Sequence, residues 1–108
     1  MRKTVLLGLV AAFIVASGSA AMADTRWERF HPRRDQVNDR LEHQSHRINR
    51  EYREGELTRR QARQLHLEDR GIRRQERFFA ANHGGHITRG EQRLLNYEEN
   101  RVSRQIGR

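Results

Sequence analysis

Apolar residues recur along this chain at helical intervals, in three blocks punctuated by glycine. In the first block Val37, Leu41, Ile48 and Tyr52 follow at spacings of four, seven and four. That periodicity predicts a helix over about 34–54 with one buried stripe. Gln44 interrupts the stripe where an apolar residue is expected. Asp35 is placed to cap the start. Gly55 ends the helix, because glycine takes the left-handed conformation without steric cost. In the second block Ala62, Leu65, Ile72 and Phe79 share one face of a helix over about 58–82, ending ahead of Gly84-Gly85. In the third, Leu95, Val102 and Ile106 mark a helix over about 88–106. Strand-type alternation is absent.

One ruler runs through all three blocks. Leu41 and Ile48, Leu65 and Ile72, and Leu95 and Val102 are each seven residues apart. This recurrence suits shallow-angle, coiled-coil-like packing. Short connections make successive helices antiparallel. The expected fold is therefore all-α: an antiparallel up-down-up three-helix arrangement over 34–108. Residues 24–33, with Trp27, Phe30 and the single proline Pro32, are expected to form an extended N-terminal arm.

The second and third blocks are copies. Gly55-Glu56-Leu57-Thr58-Arg59-Arg60-Gln61 returns 30 residues later as Gly85-His86-Ile87-Thr88-Arg89-Gly90-Glu91. The match continues without a gap, pairing Arg63 with Arg93, Leu65 with Leu95, Glu68 with Glu98, Asp69 with Glu99, Ile72 with Val102 and Gln75 with Gln105. Such a repeat is one supersecondary unit used twice, each burying its apolar face on a neighbour. Thr58 with Gln61, and Thr88 with Glu91, have the spacing of a capping box, in which each side chain satisfies the other residue's backbone N–H. Leu57, just before the first cap, is placed to pack on Ala62 as a hydrophobic staple. Gly71 costs the second helix ~1 kcal/mol relative to alanine. Close approach of a neighbouring helix would explain it.

The N-terminus carries a different pattern. Arg2 and Lys3 precede the apolar stretch Val5 to Ala16, and Ala21-Met22-Ala23 is a small-x-small site. These three parts make residues 1–23 a signal peptide cleaved between Ala23 and Asp24. The apolar stretch is shorter than the ~20 residues a spanning helix needs. The expected product is periplasmic or secreted, with no membrane span after cleavage. It has no cysteine, hence no disulfide and no lipid anchor on sulfur.

Without Arg2 and Lys3, 20 basic residues, all arginine, face 14 acidic ones, a formal charge of +6. Arginine stays charged and binds carboxylates and phosphates through two parallel hydrogen bonds. The expected partners are acidic or unfolded protein segments or envelope polyanions. The core is thin: 15 of the 85 residues after the cleavage site are Leu, Ile, Val or Phe. That is below the ~20% at which high charge suggests disorder. Stability must come from helix propensity and a well-registered seam, or from self-association as a homodimer.

Candidate chemistry is sparse. Six histidines include two close pairs, His43 with His46 and His83 with His86. A copper or zinc site needs three or four convergent ligands, so the two pairs would have to meet. Gly85 to Glu91 resembles the second half of a calcium-binding EF-hand loop, but Ala80 and Gly84 stand where oxygen ligands belong. The acidic residues lie in charged surroundings with no apolar pocket to shift their protonation. No nucleophile elbow, phosphate loop or zinc-protease motif appears, so neither enzyme activity nor a cofactor is expected. Basic pairs Arg59-Arg60 and Arg73-Arg74 are interrupted by acidic residues, and no specific nucleic-acid motif is present.

Leu57-Thr58-Arg59-Arg60-Gln61 resembles the L-T-x-x-Q motif of the small periplasmic CpxP/Spy proteins. That likeness implies an ATP-independent chaperone or envelope-stress adaptor that cradles unfolded clients on a basic surface. The chain is also similar to a group of small uncharacterised exported bacterial helical proteins with G-x-[L/I]-T-x-x-[E/Q] repeats. The segments concerned are Gly55 to Gln61, Gly84 to Glu91, and Leu95 to Ile106. This second likeness implies fold and compartment but no activity. Taken together, these features predict an exported, basic, non-enzymatic helical protein. Its partner-binding residues would be Arg59, Arg60, Arg73, Arg74, Phe78 and Phe79. The alternative is a metal binder built on His43, His46, His83 and His86.

Overall fold

The structure, a computed structural model, describes residues 26–107. The expected signal segment 1–23 lies outside the described residues. The chain divides into two compact units between Phe30 and His31. In the first unit, residues 26–30 are helical. The second unit holds α1 (Pro32–Arg53), α2 (Arg59–Asn82) and α3 (Arg89–Ile106). The fold is all-α, and no strand occurs among the described residues.

The start of α1 corrects two expectations. Residues 26–30, Pro32 and Arg33 are helical rather than extended. Proline at the first helical position has its φ already set and lacks an N–H that would have no partner there. His31, which precedes the proline, leaves the helical region at φ −135°, ψ 57°, as sterics before proline favour. His31 is thus the N-cap residue. Asp35 sits inside the first turn, where its backbone N–H donates to the His31 carbonyl at 2.9 Å.

The two repeat copies open identically. Thr58 Oγ1 accepts from the Gln61 N–H at 3.1 Å, and Gln61 Oε1 accepts from the Thr58 N–H at 2.8 Å. Thr88 and Glu91 reproduce both distances. The ends of α1 and α2 also match. Gly55 and Gly84 take φ of +81° and +66°. Beyond them the Glu56 N–H reaches Glu51 O and the Gly85 N–H reaches Ala80 O, both at 2.8 Å. These bonds satisfy carbonyls that the last turn would otherwise strand.

Each helix packs against both others. Val37, Leu41 and Ile48 meet Ala62, Leu65, Ile72 and Ala80 of α2, and Leu95, Val102 and Ile106 of α3, in one core. Leu57 and Ile87, the repeat partners ahead of each cap, are buried with them. Each large aliphatic side chain removed from water contributes about 1.5–3 kcal/mol. Tyr52, expected in the stripe, is exposed; it lies one residue from the end of α1, where the chain turns away. Phe79 is half-buried at the core edge, and Ala80 takes the interior position.

Cross-helix hydrogen bonds set the register. Between α1 and α3, Gln36 bonds Gln92 and Arg47 bonds Ser103. To α2, Arg34 pairs with Glu76 and Asn49 with His66, while Gln75 pairs with Glu98 and Glu68 with Gln105.

Four polar residues lie inside. Gln44, Asp69 and Glu99 fall one per helix, each between the two members of a seven-spaced apolar pair, and Glu76 lies seven residues beyond Asp69. Gln44 Nε2 donates to the Glu99 backbone carbonyl at 2.6 Å. Glu76 receives the Arg34 guanidinium. The carboxylates of Asp69 and Glu99 accept no hydrogen bond. The expectation that no acidic residue occupies an apolar setting is thus overturned, because residue type at a seam position is subordinate to the seam.

Candidate functional site

A groove of about 820 Å³ lies between α2 and α3. Its geometry follows from the repeat. Ile72 and Val102, equivalent positions in the two copies, form its buried floor. Two glutamine–glutamate hydrogen bonds span it. Gln75 Nε2 donates to Glu98 Oε1 at 2.7 Å, and Gln105 Nε2 donates to Glu68 Oε1 at 3.4 Å. One pair is the other moved by 30 residues with the helices exchanged. Both glutamates in the groove are therefore engaged by glutamines.

The arginines of the groove are not engaged in the same way. No acidic residue among those described lies within ion-pair distance of Arg74 or Arg101. Phe78 lines the groove and is 66% exposed. On α2 the series Leu67, Gly71, Arg74, Phe78 follows spacings of four, three and four, so these residues share a face. Leu94 and Tyr97 add exposed apolar surface on α3. Gly71 breaks the symmetry of the groove, for its repeat partner is Arg101. A Cβ at Gly71 would meet nothing nearer than Arg74 Nη2 at 3.8 Å. No neighbouring helix presses on it, so the glycine widens the groove instead of admitting a close crossing.

The expected partner-binding residues separate. Arg74 and Phe78 line the groove together. Phe79, its ring centroid 6.3 Å from that of Phe78, turns toward the core. Arg59 and Arg60 are exposed on the first turn of α2, and Arg60 lines a second depression with Leu57, Gln64 and Leu65. Arg73 faces the interior carboxylates, where its charge acts on Asp69 and Glu99. Arg101, Gln75, Glu98 and Gln105 are not among the partner-binding residues expected from sequence. The signal for them is the 30-residue match itself, which pairs Gln75 with Gln105 and Glu68 with Glu98.

The four histidines considered for metal do not come together. Arg33 and Arg34 reach the Ile87 and Gly85 carbonyls, which holds the α2–α3 connection at the N-terminal end of α1. His43 and His46 are exposed further along α1, roughly 13–20 Å away at 1.5 Å per residue. His86 instead stacks on His31, with ring centroids 4.9 Å apart. His83 Nδ1 lies 3.0 Å from the Phe79 carbonyl and 3.3 Å from Glu91 Oε2. The capping residues Thr58, Gln61, Thr88 and Glu91 are occupied in holding helix starts. No helix among the described residues is long and apolar enough to cross a membrane. Comparison with protein-family models, curated proteins and solved structures finds no match to this chain.

Proposed function

We propose that this chain is an exported, non-enzymatic helical protein that holds acidic, partly unfolded protein segments in the α2–α3 groove. It would act as a chaperone or as an envelope-stress adaptor in the periplasm or outside the cell. Its scaffold is read as an antiparallel up-down-up three-helix arrangement, supported by the sense of the cross-helix pairs. The observation that carries the functional reading is the pairing of an apolar floor with uncommitted arginines. Ile72, Val102 and Phe78 offer contact to apolar side chains, while Arg74 and Arg101 offer fork-shaped donors to carboxylates. Exposed aromatic and arginine side chains of this kind supply much of the binding energy at protein surfaces. The formal charge of +6 without the leader draws acidic segments toward the groove. The L-T-x-x-Q likeness at Leu57 to Gln61 points the same way.

The test is light scattering of a denatured acidic protein diluted into buffer with and without this protein. Suppression of aggregation is expected near equimolar ratio. It should weaken in Phe78→Ser and in the Arg74→Glu/Arg101→Glu double variant, and fall with added salt. Equal protection by those variants would remove the groove from the mechanism, and no protection at any ratio would remove the chaperone reading.

A further inference from the structure

We propose that Asp69 and Glu99 make the α2–α3 seam a proton-dependent latch, closed while the two carboxyls hold protons and loosened when they lose them. This goes beyond the groove and does not depend on client binding. The geometry is specific. Asp69 on α2 and Glu99 on α3 occupy equivalent positions of the two repeat copies. They are 6% and 0% exposed, and all four carboxylate oxygens lack a hydrogen-bond donor. Gln44 of α1 adds a fifth buried acceptor, its Oε1, with no donor. Five acceptors without donors suit a closed bundle only if the interior supplies protons. Protonated carboxyls do so, each replacing one acceptor with an O–H donor.

The surrounding charges do not neutralise the pair. From α1, Arg40 Nη1 stands 3.6 Å from Glu99 Oε1. From α2, Arg73 acts favourably on both carboxylates, while Glu68 opposes ionisation of Asp69. From α3, Glu98 opposes ionisation of Glu99, and Asp69 itself does the same from across the seam. Burial dominates in both cases. It pushes Asp69 up to about 7 and Glu99 up to about 8. An unfolded chain releases these protons near pH 4, whereas the bundle keeps them to pH 7–8. Between those limits the folded state binds more protons, so stability is greatest on the acid side and falls as pH rises. Each retained proton raises the unfolding constant about tenfold per pH unit across its window.

Urea unfolding of the purified protein, followed by circular dichroism from pH 5 to 9, tests the latch. The wild-type midpoint should fall steadily as pH rises toward 8. Asp69→Asn and Glu99→Gln should each flatten the profile, and the double variant should be the more stable protein at pH 8.5. Histidines also titrate in this range, so the slope that counts is wild type minus double variant. A wild-type midpoint constant from pH 5 to 8.5, or an equal slope in the double variant, would overturn the proposal. If the double variant does not fold, carboxyl carbon shifts of the wild type by NMR decide. Two carboxyls changing at pH 7–8 uphold the latch; every carboxyl changing near pH 4 rejects it. Calcium or magnesium raising the midpoint at pH 8.5 in wild type alone would also overturn it, since a cation would then occupy the site.

Discussion

Arg34 on α1 reaches across the bundle to Glu76, a carboxylate that α2 buries to 1% exposure. Arg34 Nε faces Glu76 Oε2, Nη2 lies 3.5 Å from Oε1, and Nη1 donates to the Gly85 carbonyl at 3.2 Å. One guanidinium thus joins the start of α1, the last third of α2 and the α2–α3 connection. Removing it strands a buried charge, which typically costs ~3–5 kcal/mol. Arg34→Ala should therefore unfold far earlier in urea. Arg34→Met/Glu76→Leu, which removes both charges, should recover most of the loss. An Arg34→Ala midpoint equal to wild type would show that the pair holds nothing together.

The twin capping boxes should contribute twin amounts. Thr58→Ala and Thr88→Ala each remove one acceptor from a helix N-terminus with the same geometry, so each should cost about 1 kcal/mol. The two sites share no partner, and the double variant should lose roughly the sum. Thermal melts by circular dichroism read this directly, with unchanged ellipticity at low temperature.

Neighbouring leucines should behave oppositely. Leu95 is fully buried and Leu94 is 44% exposed. Leu95→Ala should cost ~2–5 kcal/mol, and Leu65→Ala the same. Leu94→Ala and Leu67→Ala should change stability by less than about 0.5 kcal/mol. A domain with so few apolar residues is stable by ~5 kcal/mol or little more. The core variants should accordingly lose helical ellipticity, while the surface variants keep it.

Gly71 offers stability at the expense of the groove. An added methyl meets only the end of Arg74, at ordinary contact distance. Gly71→Ala should stabilise α2 by about 1 kcal/mol, raising the melting temperature by roughly 4–8 °C. If the groove holds client segments, protection against aggregation should fall in the same variant. A stabler protein with undiminished protection would place the client elsewhere.

The helices and their ends were legible in the chain because they rest on neighbours close in sequence. Apolar residues three, four and seven apart, threonines three residues ahead of Gln61 and Glu91, and glycines at 55 and 84 all act within two turns. The first helix begins at Pro32, two residues ahead of the start its apolar periodicity predicts, because proline fits a first-turn position where no N–H is needed. Residue type also misled at the seam. Gln44 stood out as a polar residue on an apolar stripe, yet Asp69 and Glu99 hold the same place in the other two helices and read as surface charges.

Burial of those carboxylates was decided by tertiary packing alone, because a helix has an inside only when others cover it. The same holds for the assignment of the arginines. Arg73 and Arg74 are adjacent in the chain, yet one faces buried acids and the other a groove. About 100° of rotation separates consecutive helical residues, and only the positions of α1 and α3 decide what each direction meets. The histidines show the limit from the other side. Spacing placed His43 beside His46 and His83 near His86, but whether the pairs meet depends on where along α1 the α2–α3 connection lands. Arg33 and Arg34 hold that connection at the start of α1, and no pattern within α1 reports a contact made more than fifty residues away.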